Sequence, residues 1–518
     1  MRENQLSLIY DNHEGVTLLK KRISEEETGR IVLKGLAGSS VAMVISSVYR
    51  ASPLINLVLA PEKEEAAYFY SDLVSLLGDD SVFFFPSTYK RSIIYEQTDP
   101  AGIILRTEVL NFLASGKNNG LIVTYPEALM EKVVSRQTLS DNTFTVKKGD
   151  RLSVDFLEEL LQEYGFERVD FVYQPGQYAI RGSIADIFSF SADMPFRLDF
   201  FGDEVESLRS FNPDDQLSVS MLDEVKIIPD INSLPENKTT QTFIDLLPRT
   251  SLIWTEDLDF TAGKIDSIFR QAAEKERNGL LDGLKEKVIT GGMLINELGT
   301  FKIIETGRLE TPENVTPIFF RTEPQPSFGK NFELLSQQLI TNQENGYETV
   351  IVTENQSQTE RLNDIFAEIC PGVSYSTVIK SLHRGFTDHD LRIALYTDHQ
   401  IFDRYHKYRI KGYFTRKESI TIKEITGLNP GDYVVHIDHG IGRFGGLEKI
   451  EVNGKIQEAI KLVYKDNDIL YVPIHSLHRI SKYRSSDGQE PRISRLGSGA
   501  WQRLKDRARN KVKDIAKD

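Results

Sequence analysis

The stretch VLKGLAGSSVAMVISSVYR (32–50) has the order of residue types found in a phosphate-binding loop. An apolar, β-branched segment leads to glycines at Gly35 and Gly38, and an apolar helical pattern follows them. In such a loop, backbone N–H groups at a helix N-terminus bind the phosphates of a nucleotide. The same chemistry needs a lysine for the β- and γ-phosphates and a hydroxyl group for Mg²⁺.

The side chains that hold ATP and Mg²⁺ are missing from this loop. Ser40, Val41 and Ala42 stand where a nucleotide-binding loop has Gly, Lys and Ser or Thr. No acidic helicase-type motif follows the later strand patterns, and LIVTYPEAL (121–129) ends one of them without it. We therefore predict a structural turn that binds no nucleotide, formed by Gly35, Gly38, Ser39, Ser40, Val41 and Ala42.

One short segment, HIDHG (436–440), combines residue types that can bind a metal. His436, Asp438 and His439 occur there without a cysteine or a further histidine cluster nearby. A structural zinc site usually needs four ligands. We interpret these side chains as polar groups that shape a turn, and we predict no metal site and no catalytic residue.

Composition limits the class of protein. The chain has 518 residues, enough for several domains, with 40% apolar and 27% charged residues as in ordinary globular proteins. Its net charge of −14 argues against a protein that coats nucleic acid over its whole surface. Two basic stretches, 404–423 and 491–518, leave a local DNA contact open, although solvated surfaces explain them as well.

Cysteine content and hydropathy indicate the compartment. The one cysteine, Cys370, excludes a disulfide framework and favours a reducing cytoplasm. We find no signal-peptide pattern and no apolar run of membrane-spanning length. We therefore predict a cytoplasmic protein with no membrane partner, and we expect a monomer because nothing in the sequence suggests an obligate assembly.

The order of predicted elements indicates a multi-domain α/β protein. Strand and helix patterns alternate through the first part, which favours a mainly parallel sheet. The chain then becomes strand-rich, and later a proline-rich stretch at 311–329 is interpreted as a linker. The predicted domains are a degenerate P-loop-like domain at 1–142 plus 223–305, an inserted α+β domain at 143–222, a small α/β spacer domain at 315–403, a linker at 404–426, a small β-barrel domain at 427–485, and the start of a helix at 491–518.

Three stretches together resemble bacterial transcription-repair coupling factors, the family also called Mfd. They are GLAGSSVA with FFFPSTYKRSIIYEQTDP, then GFERVDFVYQPGQYAIRGSIADIFSFSADMPFRLDFFGDEVESLRSF, and then GDYVVHIDHGIGRFGGLEKIEVNGKIQEAIKLVYKDNDILYVPIHSLHRISKY followed by RLGSGAWQRLKDRARNKVKDIA. The resemblance covers nearly the whole chain and is sharpest at 166–211 and 430–484. The second stretch is shared with the excinuclease B protein (UvrB) but the third is not, which makes the combination specific.

The resemblance implies a UvrB-like first domain and an inserted domain that binds the excinuclease A protein (UvrA). The predicted contact residues are Arg168, Arg181, Phe188, Arg197 and Phe201, because arginine and exposed aromatic side chains are typical interface anchors. The alternative is that the phenylalanines lie in the core and the arginines pair with acidic residues inside the domain. Alternation along PFRLDFF places Arg197 and Phe201 on one face.

The resemblance further implies that the predicted β-barrel domain is CarD-like and binds the β subunit of RNA polymerase. A small twisted β domain with an exposed edge can accept a strand from a partner. We place that edge near LEKIEVNGK, with four predicted contact residues: Lys449, Ile450, Glu451 and Val452. The alternative is a plain hairpin turn at VNG with Ile450 in the core.

The predicted function is that of an adaptor, which binds stalled RNA polymerase and recruits UvrA for nucleotide excision repair of DNA damage. The resemblance implies that ATP, Mg²⁺ and double-stranded DNA are bound mainly by a translocase motor. We expect this motor to be absent here, so these residues would form no enzyme and need no cofactor. In the family the C-terminal end masks the UvrA-binding surface, so we expect an exposed surface here. Two other classes remain open: a nucleotide-dependent helicase or damaged-DNA-binding component of the excinuclease B type, and a DNA-binding module.

Overall fold

The structure is a computed structural model that describes residues 6–25, 28–89, 93, 99–192, 194–213, 216–230, 240–279, 283–307, 315–406, 408, 428–436, 438–452, 455–473, 480–483, 491, 493–496 and 501. The chain divides into two compact units. The first unit comprises Met1–Phe144 and Ile227–Lys411, and the second comprises Thr145–Lys226 and Gly412–Asp518. None of the described helices is long and apolar enough to cross a membrane.

The strands are numbered in chain order. They are β1 (Gly29–Lys34), β2 (Ile55–Leu59), β3 (Val82–Phe84), β4 (Gly120–Thr124), β5 (Val133–Val134), β6 (Phe144–Lys147), β7 (Glu167–Arg168), β8 (Gln177–Arg181), β9 (Ile184–Ile187), β10 (Phe196–Phe201), β11 (Glu204–Phe211), β12 (Ser218–Leu222), β13 (Glu224–Ile227), β14 (Thr240–Gln241), β15 (Leu252–Thr255), β16 (Lys302–Glu305), β17 (Ile318–Phe319), β18 (Thr322–Pro324), β19 (Glu348–Thr353), β20 (Ser376–Ile379), β21 (Phe386–Asp388), β22 (Ile393–Thr397), β23 (Tyr433–His436), β24 (Gly440–Val452), β25 (Lys455–Val463), β26 (Ile469–Pro473) and β27 (Ile480–Lys482).

The α-helices of the described residues are numbered in the same way. They are α1 (Glu14–Glu25), α2 (Ser40–Ala51), α3 (Lys63–Leu77), α4 (Pro100–Ala114), α5 (Pro126–Leu129), α6 (Arg136–Asp141), α7 (Val154–Glu163), α8 (Leu258–Arg277), α9 (Leu284–Lys287), α10 (Gly291–Leu298), α11 (Phe332–Glu344), α12 (Gln356–Ile369) and α13 (Asp398–Ile401). Short 3₁₀ turns occur at Ile9–Asn12, Ile244–Leu246 and Lys465–Asn467.

The core of the first unit is a seven-stranded parallel sheet with the strand order β17-β1-β16-β15-β2-β4-β3. Every residue of the central strands β2 and β4 is buried. Strands covered on both faces need nearly continuous apolar runs, and INLVL and GLIVT supply them. The predicted parallel α/β sheet is therefore confirmed.

A second, five-stranded sheet lies in the same unit, with the order β18-β21-β22-β19-β20. The proline-rich stretch that we predicted to be a linker contributes strands to both sheets, so that interpretation is wrong for its described residues. Strand β17 pairs with β1, and β18 pairs with β21. Both strands lie at sheet edges, where proline is tolerated because its missing N–H group faces away from the ladder.

The inserted segment of the second unit forms a six-stranded sheet with the order β12-β11-β10-β9-β8-β7. All neighbouring strands are antiparallel except β7 and β8. Helix α7 begins at the N-cap Ser153, whose side chain accepts from the Phe156 amide, and it buries Leu157 and Leu161. This helix and sheet agree with the strand-rich pattern of the sequence.

The C-terminal part of the second unit contains a five-stranded antiparallel sheet with the order β26-β25-β24-β23-β27. Its core includes Val434, Phe444, Ile460, Leu462 and Tyr464. A register shift between Phe444 and Leu447 bends β24. The described strands do not close into the barrel that we predicted, because no pairing joins β26 to β27 among them.

Candidate partner-binding surfaces

The degenerate loop between β1 and α2 is pressed against backbone from the second sheet of its own unit. Gly35 has a φ of +81°, and a Cβ there would lie 2.0 Å from the carbonyl oxygen of Phe320. Gly38 has a φ of +58°, and its Cβ would meet the carbonyl oxygens of Gly385 and Arg384 at 2.7 and 2.9 Å. Both glycines therefore permit a close approach of two backbone segments.

The polar groups of this loop bond to protein atoms. The Ser39 amide donates to the Arg384 carbonyl oxygen at 2.9 Å, and the Arg384 amide donates back to Ser39 Oγ at 3.0 Å. Ser39 Oγ donates to the buried Asp72 carboxylate at 2.6 Å, and the Ala37 amide donates to Ser40 Oγ at 3.0 Å. The loop N–H groups of Ala37 and Ser39, which could hold a phosphate in an active loop, thus already have acceptors.

Three histidines, His383, His399 and His406, pack near the contact between Ser39 and Arg384. His383 stacks on Tyr68 with 3.5 Å between ring centroids, and His399 stacks on His406 at 4.3 Å. Burial lowers the pKa of all three imidazoles, and the pKa of His383 falls to about 3. Burial raises the pKa of the nearby Asp72 carboxyl to about 7. The histidines are therefore neutral at pH 7.

We expect the substitution His383→Phe to remove one acid-sensitive group. The folded pKa of His383 lies below its unfolded value of about 6.5, so the folded protein binds fewer protons and loses stability as pH falls below that value. The shift alone would give about 2 kcal/mol between pH 7 and pH 5, and partial exposure of the ring roughly halves that value. The free energy of unfolding of the variant, minus that of the native chain, should therefore rise by about 1 kcal/mol between pH 7 and pH 5 in urea unfolding. The raised pKa of Asp72 changes stability with pH in the opposite direction. Because Asp72 is present in both proteins, its contribution cancels in the difference. A difference that stays constant with pH would contradict this account.

One group of side chains in the first unit has the composition of a metal site. His13, Asp388 and Asp390 place possible ligand atoms within 4.8 Å of one another. The Gly15 amide donates to His13 Nδ1 at 3.0 Å, which leaves the proton of the neutral ring on Nε2. Nε2 lies 3.8 and 3.7 Å from the two carboxylates and faces them as a donor, whereas a metal would need its lone pair. We therefore interpret the group as a polar contact between the segment before α1 and β21.

The inserted sheet of the second unit carries a charged cluster on one face. Asp186 is fully buried, and its two carboxylate oxygens accept from Arg197 at 2.7 and 2.9 Å. Asp186 also pairs with Arg181. The Arg181 guanidinium lies over Phe171 and that of Arg197 lies over Phe211. The shared carboxylate thus holds two arginines in fixed orientations.

The next strand extends this charged face with a residue that the sequence analysis missed. Arg209 on β11 lies opposite Arg197 in the register and pairs with Asp199. Its position in SLRSF, where it alternates with buried Leu208, was the available indication. The edge strand beside it also exposes apolar side chains by more than half of their surface: Leu217, Val219 and Met221.

The structure places two of the predicted UvrA contacts together on an accessible surface. Phe201 at the end of β10 is 80% exposed. Arg181 on β8 is opposite Ile184 on β9, and Ile184 is opposite Asp199 on β10. Opposite residues point to the same face, and Phe201 is two residues after Asp199, so Arg181 and Phe201 share a face. Arg197 lies on the same face but is largely covered by its contacts with Asp186.

The two remaining predicted contacts lie elsewhere. Phe188 is 1% exposed and packs with Ala179, which is opposite Asp186 in the register, so it lies in a small core cluster beside Asp186 and not on the surface. Arg168 is opposite Tyr178, which puts it on the other face of the sheet from Arg181. It pairs there with Glu158 of α7 at 2.5 Å.

The predicted polymerase-binding residues lie at the end of the long strand β24. Gly440–Arg443 pair with β23 on one side, whereas Leu447–Val452 pair only with β25. Among the described residues, no strand lies along the other side of this second half. Strand β24 is therefore a free edge where Lys449, Ile450, Glu451 and Val452 were predicted to dock a partner. The Glu448 side chain near them accepts from Lys461 and Tyr471, at 2.8 Å each.

The HIDHG segment behaves as a turn. The Asp438 amide donates to His436 Nδ1 at 3.1 Å, and the rings of His436 and His439 are 4.7 Å apart. Within the described ranges these residues do not form a group of three metal-ligating atoms. Most of the predicted helix at 491–518 and most of the basic stretch 404–423 lie outside the described residues.

Two known domain families match this chain. The family described as UvrB interaction domain matches residues 144–232, and the family described as CarD-like/TRCF RID domain matches residues 428–484. The first match contains the charged face, and the second contains the free edge of β24. The fold and these matches thus describe a chain that joins a domain similar to the UvrB interaction family to a domain similar to the CarD-like/TRCF RID family.

The chain is similar over nearly all of its length to curated transcription-repair-coupling factors. It is 26% identical to the one from Bacillus subtilis (strain 168), over 99% of this chain and 49% of the relative. It is 24% identical to those from Haemophilus influenzae and Escherichia coli (strain K12), over 94% of this chain and 48% of each relative. The chain thus spans about half the length of the curated relatives it matches. The predicted resemblance to the N-terminal portion of transcription-repair coupling factor is confirmed.

Proposed function

We propose that this chain is an adaptor that binds RNA polymerase through its CarD-like domain and UvrA through its inserted domain. The observation that carries the proposal is the pair of accessible features in the two matched domains. One is the arginine-rich face with Phe201, and the other is the free edge of β24. Among the described residues neither feature forms a group of metal-ligating atoms, and a surface face and a strand edge are suited to binding a partner.

The arginine-rich face has the properties of a recognition surface. Arg181 and Arg197 are oriented by one buried carboxylate, so little conformational entropy is lost when a partner binds them. Phe201 adds a large exposed aromatic side chain at the edge of the same face. Fixed arginines beside an aromatic anchor are typical of interface hot spots. We therefore propose that UvrA contacts this face and not the helix-covered face of Arg168.

The free edge of β24 supports binding of the RNA polymerase β subunit. Its second half has N–H and C=O groups with no strand partner on one side among the described residues. A strand of the partner can pair there through main-chain hydrogen bonds, with Ile450 as the predicted apolar contact. The alternative of a plain hairpin between β24 and β25 is compatible with strand pairing by a partner, because a hairpin leaves the outer edge of β24 available.

The test of the UvrA surface is a binding titration of this chain with purified UvrA. We expect Phe201→Ala to weaken binding by about tenfold or more, because an exposed aromatic hot spot contributes roughly 2 kcal/mol. Phe201 is exposed, so this change should leave the fold intact. Arg168→Glu is the matched control on the opposite face and should change affinity less than about threefold. Loss of binding in the Arg168 variant alone would move the interface to the helix side.

A nucleotide-dependent component of the excinuclease B type is the second candidate that the sequence left open. The loop geometry opposes it, because Val41 replaces the lysine and the Ser39 amide is bonded to Arg384. A titration with ATP and Mg²⁺ distinguishes the two candidates. We expect no saturable binding, and micromolar affinity would favour the nucleotide-dependent function.

A further inference from the structure

A cavity of about 240 Å³ lies in the first unit at the carboxyl ends of β2 and β15, beside the degenerate loop. In sheets of parallel strands this is the edge at which ligands bind. Apolar side chains form much of the wall: Val41, Ile45, Val58, Tyr68 and Trp254. Val41 is the residue that occupies the place of the phosphate-binding lysine.

The charged groups around the cavity are mostly acidic. Asp72, Glu65 and Glu256 line it, against one arginine, Arg384. Arg384 pairs with Glu65 at 3.2 Å. The two other carboxylates therefore have no cationic side chain within salt-bridge distance among the described residues. Because burial raises the pKa of the Asp72 carboxyl to about 7, its full negative charge is present only above that pH. A cavity with this balance then repels phosphate groups and attracts cations.

Two polar groups at the carboxyl end of β15 point to a ligand. Thr255 lines the cavity and is 3% exposed, yet its hydroxyl group has no hydrogen-bond partner among the described residues. A buried hydroxyl without a partner is costly, and a ligand donor would satisfy it. Glu256 follows it at the mouth, with its stem against Gly307, where a Cβ would lie 2.1 Å from Glu256 Cγ. Partial burial and the neighbouring Glu65 raise the pKa of the Glu256 carboxyl.

We propose that this cavity binds a small organic cation with an apolar body, such as an amine, amidine or guanidine. The apolar part packs against Val41, Tyr68 and Trp254. The charged end donates hydrogen bonds to the Thr255 hydroxyl oxygen and the Glu256 carboxylate. Replacement of the lysine by valine thus accompanies a change from a site suited to anions to one suited to cations. This proposal concerns the first unit and does not depend on the adaptor function.

Benzamidine and its neutral isostere benzamide test the proposal directly. Both are planar aromatic molecules of nearly equal size, so a difference between them reports the charge. We expect benzamidine to bind this chain saturably at pH 8 in a calorimetric or ligand-observed NMR titration, about tenfold more tightly than benzamide. We expect ATP not to compete with it.

Two matched variants locate the binding. Glu256→Gln keeps the side-chain shape and should weaken benzamidine binding by about tenfold while leaving benzamide unchanged. Glu274→Gln changes an exposed glutamate of α8 outside the cavity and should have no effect. Equal binding of benzamidine and benzamide to the native chain, or no binding of either, would overturn the proposal. An unchanged affinity in the Glu256 variant would also overturn it.

Discussion

The substitution Gly35→Ala should lower the midpoint of thermal unfolding of the first unit by roughly 4–5 °C, which corresponds to about 3 kcal/mol for a unit of this size. The added Cβ would lie 2.0 Å from the Phe320 carbonyl oxygen, far inside van der Waals contact. The residue also has a φ of +81°, which L-residues with a side chain adopt at a cost of about 1–2 kcal/mol. Relief of the clash would require Gly35 to move away from the segment that joins β17 to β18, where Thr322 donates to the Gly35 carbonyl oxygen.

The matched control is Gly116→Ala. Gly116 has a similar φ of +74°, but a Cβ there meets no atom within 4 Å. The free energy of unfolding of the Gly116→Ala variant should fall only by the cost of placing a side chain at positive φ, about 1 kcal/mol. Differential scanning calorimetry of both variants separates conformational strain from loss of the contact. Equal destabilisation by the two substitutions would mean that the loop does not hold the second sheet.

The substitution Asp186→Ala should destabilise the inserted sheet by about 3–5 kcal/mol, the usual cost of removing one partner from a buried ion pair. Asp186 is fully buried and balances both Arg181 and Arg197. Without it, two guanidinium groups would remain close together with no shared acceptor. Amide hydrogen exchange across β8–β11, measured in the whole chain, should accelerate by about a hundredfold or more.

Asp199→Ala is the control for this change. Asp199 pairs with Arg209 on the same face, but both side chains are partly exposed, at 19% and 32%. Solvent screening limits the value of such a pair to about 1 kcal/mol. Comparable acceleration of exchange in the two variants would show that Asp186 does not organise the face. A stable Asp186 variant would weaken the argument that this surface is fixed before a partner binds.

The prediction that the degenerate loop binds no nucleotide rests on residue types alone, because the missing lysine and hydroxyl groups are local features. What occupies the loop was not predictable in this way. Ser39 and Arg384 are 345 residues apart in sequence, and their hydrogen bonds depend on how two sheets pack. The prediction that 311–329 is a linker failed for a related reason. Proline content indicates a break in regular structure but does not distinguish a linker from an edge strand.

In the inserted domain, too, sequence patterns predicted local features but not contacts between distant segments. Alternation along PFRLDFF correctly placed Arg197 and Phe201 on one face of the strand, opposite the buried Leu198 and Phe200. Strand pairing decided what alternation could not, namely that Phe188 faces a core cluster and that Arg168 lies on the opposite face from Arg181. Arg209 joined the site only through its register with Arg197. Periodicity gives the face of a residue within its own strand, whereas a site built across strands requires their order.

The most direct test of the adaptor function is a bridging experiment with three purified components. The RNA polymerase β subunit is immobilised, UvrA is added in solution, and its retention is measured with and without this chain. We expect UvrA to be retained only when the chain is present, and Phe201→Ala to abolish most of that retention while the chain itself stays bound. Binding of the chain to each partner separately, without retention of UvrA in the presence of both, would contradict the adaptor function.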